Sequence, residues 1–107
     1  MDGAVLDVPG RPRAVATPGH TPGHCAIHFE QHGALFAGDA LCTWNPLTGR
    51  IGAQLMPSAF NVDNAQALES LARLEGLDAQ VTLPGHGEPW RERPAAAVSA
   101  ARAAGPS

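Results

Sequence analysis

Short apolar runs alternate with Gly- and Pro-rich turns along the N-terminal part of the chain, a pattern that predicts β-strands joined by tight connections. Residues 4–8 and 13–17 lie on either side of a Pro-Gly-Arg-Pro turn and predict a pair of strands. Residues 25–30 alternate between two faces and residues 34–38 follow after Gln-His-Gly, which predicts a β-hairpin. The second strand of that hairpin is apolar on both faces, as expected for a strand that is covered on both sides. A further strand is predicted at residues 79–83.

Two helices are predicted in the C-terminal half of the chain. Asp63 followed by Gln66 resembles a capping box and predicts the start of the first helix, and Gly76 predicts its left-handed stop. The second helix is predicted from Pro94, which suits the first helical position, to Gly105. Because a short link joins the first helix to the strand at residues 79–83, we expect this helix to pack against the sheet. The apolar stripe predicted on this helix consists of Ala65, Leu68, Leu71 and Ala72.

The segment at residues 42–60 has no clear period and predicts one long connection. Its large apolar side chains are scattered among Pro and Gly residues. Connections of this length usually carry function or move. The alternative is that the segment packs a small apolar cluster of its own.

Composition and charge narrow the classes of protein to which the chain can belong. With 107 residues, 44% of them hydrophobic and 16% charged, the chain predicts one domain over residues 1–107 and is not disordered by composition. Its net charge of −3, without a basic cluster, argues against a nucleic-acid partner. The two cysteines are too few for a disulfide framework, and no signal peptide or long apolar run is evident. We therefore expect a cytoplasmic protein that does not enter a membrane.

A tandem tetrapeptide, Thr-Pro-Gly-His repeated at residues 17–24, marks the candidate site. Pro and Gly prevent this segment from continuing a helix or a central strand, so it predicts a rigid turn that carries imidazoles. Two other strand-like runs also end in glycine, and they lead to Asp39 and His86. We therefore expect His20, Asp39 and His86 to lie beyond the ends of strands, where glycine lets backbone and ligand approach closely. Two imidazoles and one carboxylate suit a borderline cation such as zinc.

These motifs, TPGHTPGH, GDAL and LPGHGEPW in that order, resemble the third, fourth and fifth motifs of the metallo-β-lactamase superfamily, which includes glyoxalase II-like thioesterases. The resemblance covers nearly the whole chain. It implies an α/β fold of the α+β type, namely half of a four-layer αββα sandwich, with one mixed or antiparallel sheet and helices on one face. It also implies that His20 binds the first of two zinc ions, His86 binds the second, and Asp39 bridges both. The loop at residues 42–60 would lie near the substrate pocket.

The principal metal motif of that family, His-x-His-x-Asp-His, lies upstream of these elements and does not occur in the 107 residues. The resemblance therefore implies the C-terminal half of a metal-dependent hydrolase, in which a metal-activated water attacks an ester, thioester or lactone-type bond and no side chain acts as nucleophile. This half is expected to be inactive alone. The alternative is a non-catalytic metal-binding or interaction fragment. The implied partners are a small-molecule substrate and, against an uncovered sheet face, either a complementary N-terminal half or a second copy of the chain.

Each candidate ligand also has a simpler structural explanation. His20 or His86 could merely hydrogen-bond a turn, and Asp39 could cap a turn or a helix after a strand. Against this, the three residues occur in matching sequence contexts. His24, in the second copy of the tetrapeptide, is expected to pack beside the ligands rather than to bind a metal itself.

A rival metal site would use other residues, namely Cys25, His28, His32 and Cys42, as zinc-finger-type ligands. Strand alternation argues against it, since Cys25 and His28 are predicted on opposite faces. His28 and His32 are instead expected on a solvated strand face and at the hairpin tip. Both cysteines are expected to be small buried hydrophobic residues.

Overall fold

The computed structural model describes residues 3–105. The helices in this part of the chain are α1 (Asn64–Glu75) and α2 (Pro94–Ala104), and short 3-10 turns span Glu30–His32 and Ser58–Phe60. Neither α-helix is long and apolar enough to cross a lipid bilayer. The strands are β1 (Arg13–Ala16), β2 (Cys25–Phe29), β3 (Ala34–Gly38), β4 (Cys42–Trp44), β5 (Ile51–Gln54) and β6 (Val81–Pro84).

Four of the strands form a mixed sheet in the order β1-β2-β3-β6. The first three are antiparallel to their neighbours, with Ile27 opposite Phe36, whereas β6 is parallel to β3, with Leu35 opposite Thr82. The predicted hairpin and the predicted strand before Pro84 are therefore confirmed. So is the fold class, a mixed sheet with two helices.

The predicted strand at residues 4–8 is wrong, because this segment does not form a continuous ladder. Val5 pairs with Arg13 of β1 as an isolated bridge, and the N–H group of Ala14 donates to the carbonyl of Ala4 at 2.8 Å. The N–H group of Leu6 donates to the carbonyl of Pro12 at 2.8 Å. Pro9 and Pro12 have no N–H group to donate, so the pairing cannot extend through the turn between them.

The start of α1 was predicted correctly. The Asp63 carboxylate accepts a hydrogen bond from the Gln66 backbone N–H at 3.0 Å. The predicted end at Gly76 is confirmed, since α1 ends at Glu75, but the predicted left-handed conformation is wrong, because Gly76 has a φ of −89°. In the second helix, Pro94 is the first residue and Gly105 follows the last, as predicted.

The buried face of α1 differs from the predicted stripe. Leu68 is exposed, and so are Ala65 and Ala72. The buried face differs because of a tertiary contact, since the tandem Thr-Pro-Gly-His turn packs against this helix. Ser70 donates to the carbonyl of Pro18 at 2.6 Å. The side chains that α1 actually buries are those of Ala67, Ser70, Leu71 and Leu74.

The sequence predicted one irregular connection at residues 42–60, and this prediction is wrong. β4 and β5 form an antiparallel two-stranded sheet within it, with Cys42 opposite Gln54. Its turn is built around Asn45, whose side-chain Oδ1 accepts from the backbone N–H groups of Leu47 and Thr48 at 2.9 Å each. The strands are too short and irregular in sequence to show a period.

A single hydrophobic core lies between one face of the four-stranded sheet and the helices. The sheet contributes Val15, Ala26 and Leu35, and α1 and α2 contribute Leu71 and Val98 among others. The opposite face is not covered by the described residues. The prediction that β3 is covered on both sides is therefore wrong, since Phe36 is 47% exposed.

His28 lies on the core face rather than on a solvated one, which corrects the sequence-based expectation. Its side chain is only 3% exposed and its Nε2 lies 2.8 Å from the carbonyl oxygen of Asp78. A carbonyl only accepts, so Nε2 carries the proton and donates. This bond satisfies the buried imidazole and ties β2 to the segment before β6. His32 is exposed at the hairpin tip, as predicted.

Candidate metal centre

Three connections meet at one edge of the sheet, and each carries one of the predicted ligands. The tandem turn at residues 17–24 joins β1 to β2, Asp39 follows β3, and His86 follows β6. Because β3 and β6 are parallel neighbours, their carboxyl ends lie side by side. The N–H group of Gly85 donates to the carbonyl of Gly38 at 2.8 Å. The parallel pairing thus brings Asp39 and His86 together, although they are far apart in sequence.

Asp39 lies between the two histidines, with one carboxylate oxygen toward each ring. Its Oδ2 is 3.1 Å from Nε2 of His20, and its Oδ1 is 3.2 Å from Nδ1 of His86. All three side chains are partly exposed. The structure therefore brings together the three residues that the sequence singled out.

His86 has an unsatisfied ring nitrogen. Its Nδ1 lies 3.2 Å from Oδ1 of Asp39, but within residues 3–105 this buried nitrogen forms no hydrogen bond. The backbone of the loop is firmly held, since the N–H of Thr43 donates to the carbonyl of His86 at 2.9 Å. The hydroxyl of Thr43 donates to the carbonyl of Glu88 at 2.6 Å. A buried nitrogen without a partner is the kind of atom that a cation would satisfy.

His20 is fixed from the side opposite Asp39. Its Nδ1 lies 3.0 Å from Oδ1 of Asn61, and its carbonyl accepts from the N–H of Val62 at 3.2 Å. Sequence reasoning missed Asn61. The only available signal was a polar residue between Phe60 and Val62, which by itself indicates nothing about a site.

His24 packs beside the candidate ligands, as predicted. Its Nδ1 is 2.8 Å from the hydroxyl oxygen of Thr17, and its ring stands edge-on to that of His20 at a centroid distance of 6.4 Å. A Cβ added to Gly38 would come within 2.8 Å of its Nε2. Burial lowers the pKa of His24, the positive form of His20 lowers it further, and Asp39 acts against this. The neutral form of His24 is therefore favoured, which suits a ring wedged between Thr17 and the backbone before Asp39.

The candidate ligands form two pairs, His20 with Asp39 and His86 with Asp39, rather than one complete coordination shell. Among residues 3–105, no group of three or more His, Cys, Asp or Glu side chains is arranged to hold a single ion. Both imidazoles nevertheless lie next to the same carboxylate, that of Asp39. A carboxylate has two oxygens and can bridge two cations, whereas a neutral imidazole cannot. Nitrogen and oxygen donors of this type suit zinc.

The rival zinc-finger-type site does not form. His28 bonds the Asp78 carbonyl inside the core, and His32 is exposed at the hairpin tip. Cys42 is buried, as predicted, and its thiol donates to the carbonyl of Leu55 at 3.5 Å. Cys25 is partly exposed, so the prediction that it is buried was wrong.

A largely apolar cavity of about 440 Å³ lies beside the loop that carries His86. The hairpin of β4 and β5 forms one wall, with Trp44 and Ile51, and Gly87 and Trp90 lie on the other. Ala53 and Leu55 of the same segment join the core. The segment at residues 42–60 therefore contributes to the main core rather than forming an apolar cluster of its own, and it borders a pocket beside the loop of His86.

Comparison with known proteins gives one consistent family. Residues 2–86 match the model described as Metallo-beta-lactamase superfamily. A probable metallo-hydrolase, YflN of Bacillus subtilis, is 37% identical over 81 residues, or 70% of this chain. A hydroxyacylglutathione hydrolase of Rhodospirillum rubrum is 38% identical over 68 residues, or 64% of this chain. A crystal structure of a metallo-beta-lactamase family protein from Thermus thermophilus superposes on 92% of this chain with a TM-score of 0.67 and 35% identity.

The chain spans only part of each of these proteins. The aligned region covers 31% of the Bacillus protein, 23% of the Rhodospirillum protein and 32% of the Thermus structure. What these whole proteins do does not pass to this chain by likeness alone.

Proposed function

Because this chain belongs to the metallo-β-lactamase superfamily, we propose that it forms part of a zinc-dependent hydrolase and holds three of its metal ligands. His20 would hold the first zinc ion and His86 the second, and Asp39 would be a ligand to both. The observation that carries this proposal is the position of the Asp39 carboxylate, with one oxygen 3.1 Å from His20 and the other 3.2 Å from His86. The Nδ1 of His86, which forms no hydrogen bond to any described residue, supports it.

In such a site the metal ion activates the water and the substrate, and the protein side chains hold the metal ion in position. Bound zinc lowers the pKa of a water molecule to about 7 and polarises the oxygen of the bond to be broken. Asp39 would offset the positive charge of the metal ions, and His20 and His86 would supply one nitrogen ligand each. None of the three needs to act as nucleophile.

The proposed substrate class is an ester, thioester or lactone. The relative named as a hydroxyacylglutathione hydrolase favours hydrolysis of an acyl group. The apolar cavity beside His86, lined by Trp44 and Trp90, offers room for an apolar part of the substrate.

We expect the 107-residue chain to bind zinc weakly and to hydrolyse little. A catalytic zinc usually has three protein ligands and one open position, and the His-x-His-x-Asp-His run that would complete the site is not in this sequence. Isothermal titration with Zn²⁺ and elemental analysis after gel filtration measure this directly. The expected result is weak, sub-stoichiometric zinc that Asp39→Ala abolishes. Two tightly held ions per chain would contradict it.

The second candidate function, a non-catalytic interaction module, is favoured by the uncovered face of the sheet. Phe36 is 47% exposed, and its ring centroid lies 5.5 Å from that of Phe29 with the rings tilted by 51°. Phe29 is itself only half-buried. We propose that a complementary N-terminal half covers this face if the chain is part of the hydrolase, and that a second copy of the chain covers it if the chain is the module.

Light scattering after gel filtration tests the partner. The chain alone is expected to self-associate, and Phe36→Glu to reduce this association. Leu47→Glu is the control, since Leu47 is also exposed but lies in the turn between β4 and β5. Hydrolysis that appears only when a polypeptide bearing His-x-His-x-Asp-His is added would favour the enzyme, and association without hydrolysis would favour the module.

A further inference from the structure

The hydrogen bonds around Asn61 determine which atom of each side-chain amide donates and which accepts. The side-chain Nδ2 of Asn64 donates to the carbonyl of Ser58 at 3.2 Å, which leaves Oδ1 of Asn64 as an acceptor. The Nδ2 of Asn61 donates to that Oδ1 at 3.0 Å and to the carbonyl of Met56 at 3.2 Å. Backbone carbonyls only accept, so the Ser58 and Met56 carbonyls fix the orientation of both amides.

This orientation leaves one possibility for His20. The Oδ1 of Asn61 can only accept, and it lies 3.0 Å from Nδ1 of His20. Nδ1 must therefore be the donor and carry a proton. Nε2, on the far side of the ring, is 3.1 Å from Oδ2 of Asp39. The ring thus directs an N–H at Asn61 and its other nitrogen at the carboxylate.

We infer that Asn61 is a positioning residue, which holds the proton of His20 on Nδ1 so that Nε2 is the atom that binds the cation shared with Asp39. The inference rests on the proposed metal site. Its physical basis is that a ligating imidazole binds through the nitrogen that carries no proton, and a fixed acceptor at the other nitrogen sets both the tautomer and the ring orientation. Asn61 itself does not touch the cation.

The position of Asn61 also explains why it can be rigid. It follows the 3-10 turn Ser58–Phe60 and precedes Asp63, the N-cap of α1. The N–H of Asp63 donates to the carbonyl of Gly19 at 2.8 Å, and the N–H of Val62 donates to that of His20. Backbone contacts on both sides of His20 therefore place Asn61 and the imidazole at a fixed separation.

The test follows the two histidine rings separately in the 107-residue chain labelled with ¹⁵N-histidine. Zn²⁺ is titrated into the chain while ring ¹⁵N resonances are recorded, which works even for weak binding. In the wild type, Nε2 of His20 is expected to respond to zinc while Nδ1 keeps its proton. In Asn61→Ala, the apparent Kd at His20 should rise by about tenfold or more. The response of His86, which Asn61 does not contact, is an internal control.

Two variants separate positioning from a general effect on folding. Asn61→Asp keeps an acceptor for Nδ1–H, and its affinity at His20 should return to the wild-type value or better. Asn64→Ala removes one anchor of Asn61 but leaves the Met56 carbonyl, so it should weaken zinc binding less than Asn61→Ala. Circular dichroism verifies that each variant is folded.

The possible results are distinguishable. Zinc bound through Nδ1 of His20 in the wild type would overturn the inference without any variant. So would wild-type affinity at His20 in folded Asn61→Ala, while the proposed metal site would survive. The absence of a zinc response at both His20 and His86 would overturn the proposed function and this inference together.

Discussion

Gly85 lies so close to Asp39 that a Cβ atom on Gly85 would overlap Oδ1 of the carboxylate, and it would also lie 3.0 Å from the carbonyl carbon of Gly38. The carboxylate thus occupies the space that any other residue at position 85 would need. Because β3 and β6 end side by side, this close approach is what places Asp39 between the two histidines.

Gly85→Ala is therefore expected to displace the Asp39 carboxylate and to weaken zinc binding by about tenfold or more, as other losses of ligand orientation do. The measurement is the zinc titration of folded protein. Gly76→Ala is the matched control, since an added Cβ there meets no atom within 4 Å and the backbone is right-handed. Equal zinc affinity in the two variants would contradict the role assigned to Gly85.

The two glycines of the tandem tetrapeptide are equivalent in sequence but not in structure. A Cβ at Gly19, which has a φ of +138°, would overlap the backbone of Ala67, whereas a Cβ at Gly23 would meet no atom within 4 Å. We expect Gly19→Ala to lower the free energy of unfolding by about 1–3 kcal/mol or more. Gly23→Ala should change it by no more than about 0.5 kcal/mol. Urea denaturation of both variants tests the difference, and equal losses would show that the turn does not pack on α1 as described.

His28 should matter for stability and not for metal binding. Its removal leaves the Asp78 carbonyl without its donor and a cavity in the core, so His28→Ala is expected to cost about 1–3 kcal/mol of unfolding free energy. His28→Gln, which can still donate, should cost less. The exposed His32 provides the control, with His32→Ala within about 0.5 kcal/mol of wild type. A small effect of His28→Ala in urea denaturation would place this ring in solvent after all.

The two cysteines should differ sharply in reactivity. Burial raises the pKa of the Cys42 thiol from 9.0 to about 11, with a further contribution from the negative charge of Asp39. Because only the thiolate reacts, and the thiol is also inaccessible, iodoacetamide near neutral pH should modify the partly exposed Cys25 and spare Cys42. Cys42 should become reactive in urea. Mass spectrometry of Cys25→Ser and Cys42→Ser variants reads each site alone, and rapid native labelling of Cys42 would refute its burial.

Local signals determined much of the secondary structure and the identity of the candidate ligands. Asp63 before Gln66, and Pro94 with Gly105, mark helix ends through hydrogen bonds and backbone angles that involve only a few neighbouring residues. Alternation over residues 25–30 predicted a strand for the same reason. The glycine-ended motifs pointed to His20, Asp39 and His86 because the conformation of a turn depends mainly on residues that are adjacent in the sequence.

Only the tertiary structure decided which faces are buried and what surrounds each ligand. Leu68 is exposed and Ala67 buried because the turn at residues 17–24 docks on α1. His28 is buried because the Asp78 carbonyl, fifty positions along the chain, meets its Nε2. Asn61 reaches His20 in the same way. The sequence by itself therefore predicted the β2–β3 hairpin, the start of α1, both ends of α2 and the residues of the candidate site. Contacts between distant segments, which no local pattern encodes, decided which side chains are buried, the pairing of β3 with β6 and the orientation of His20.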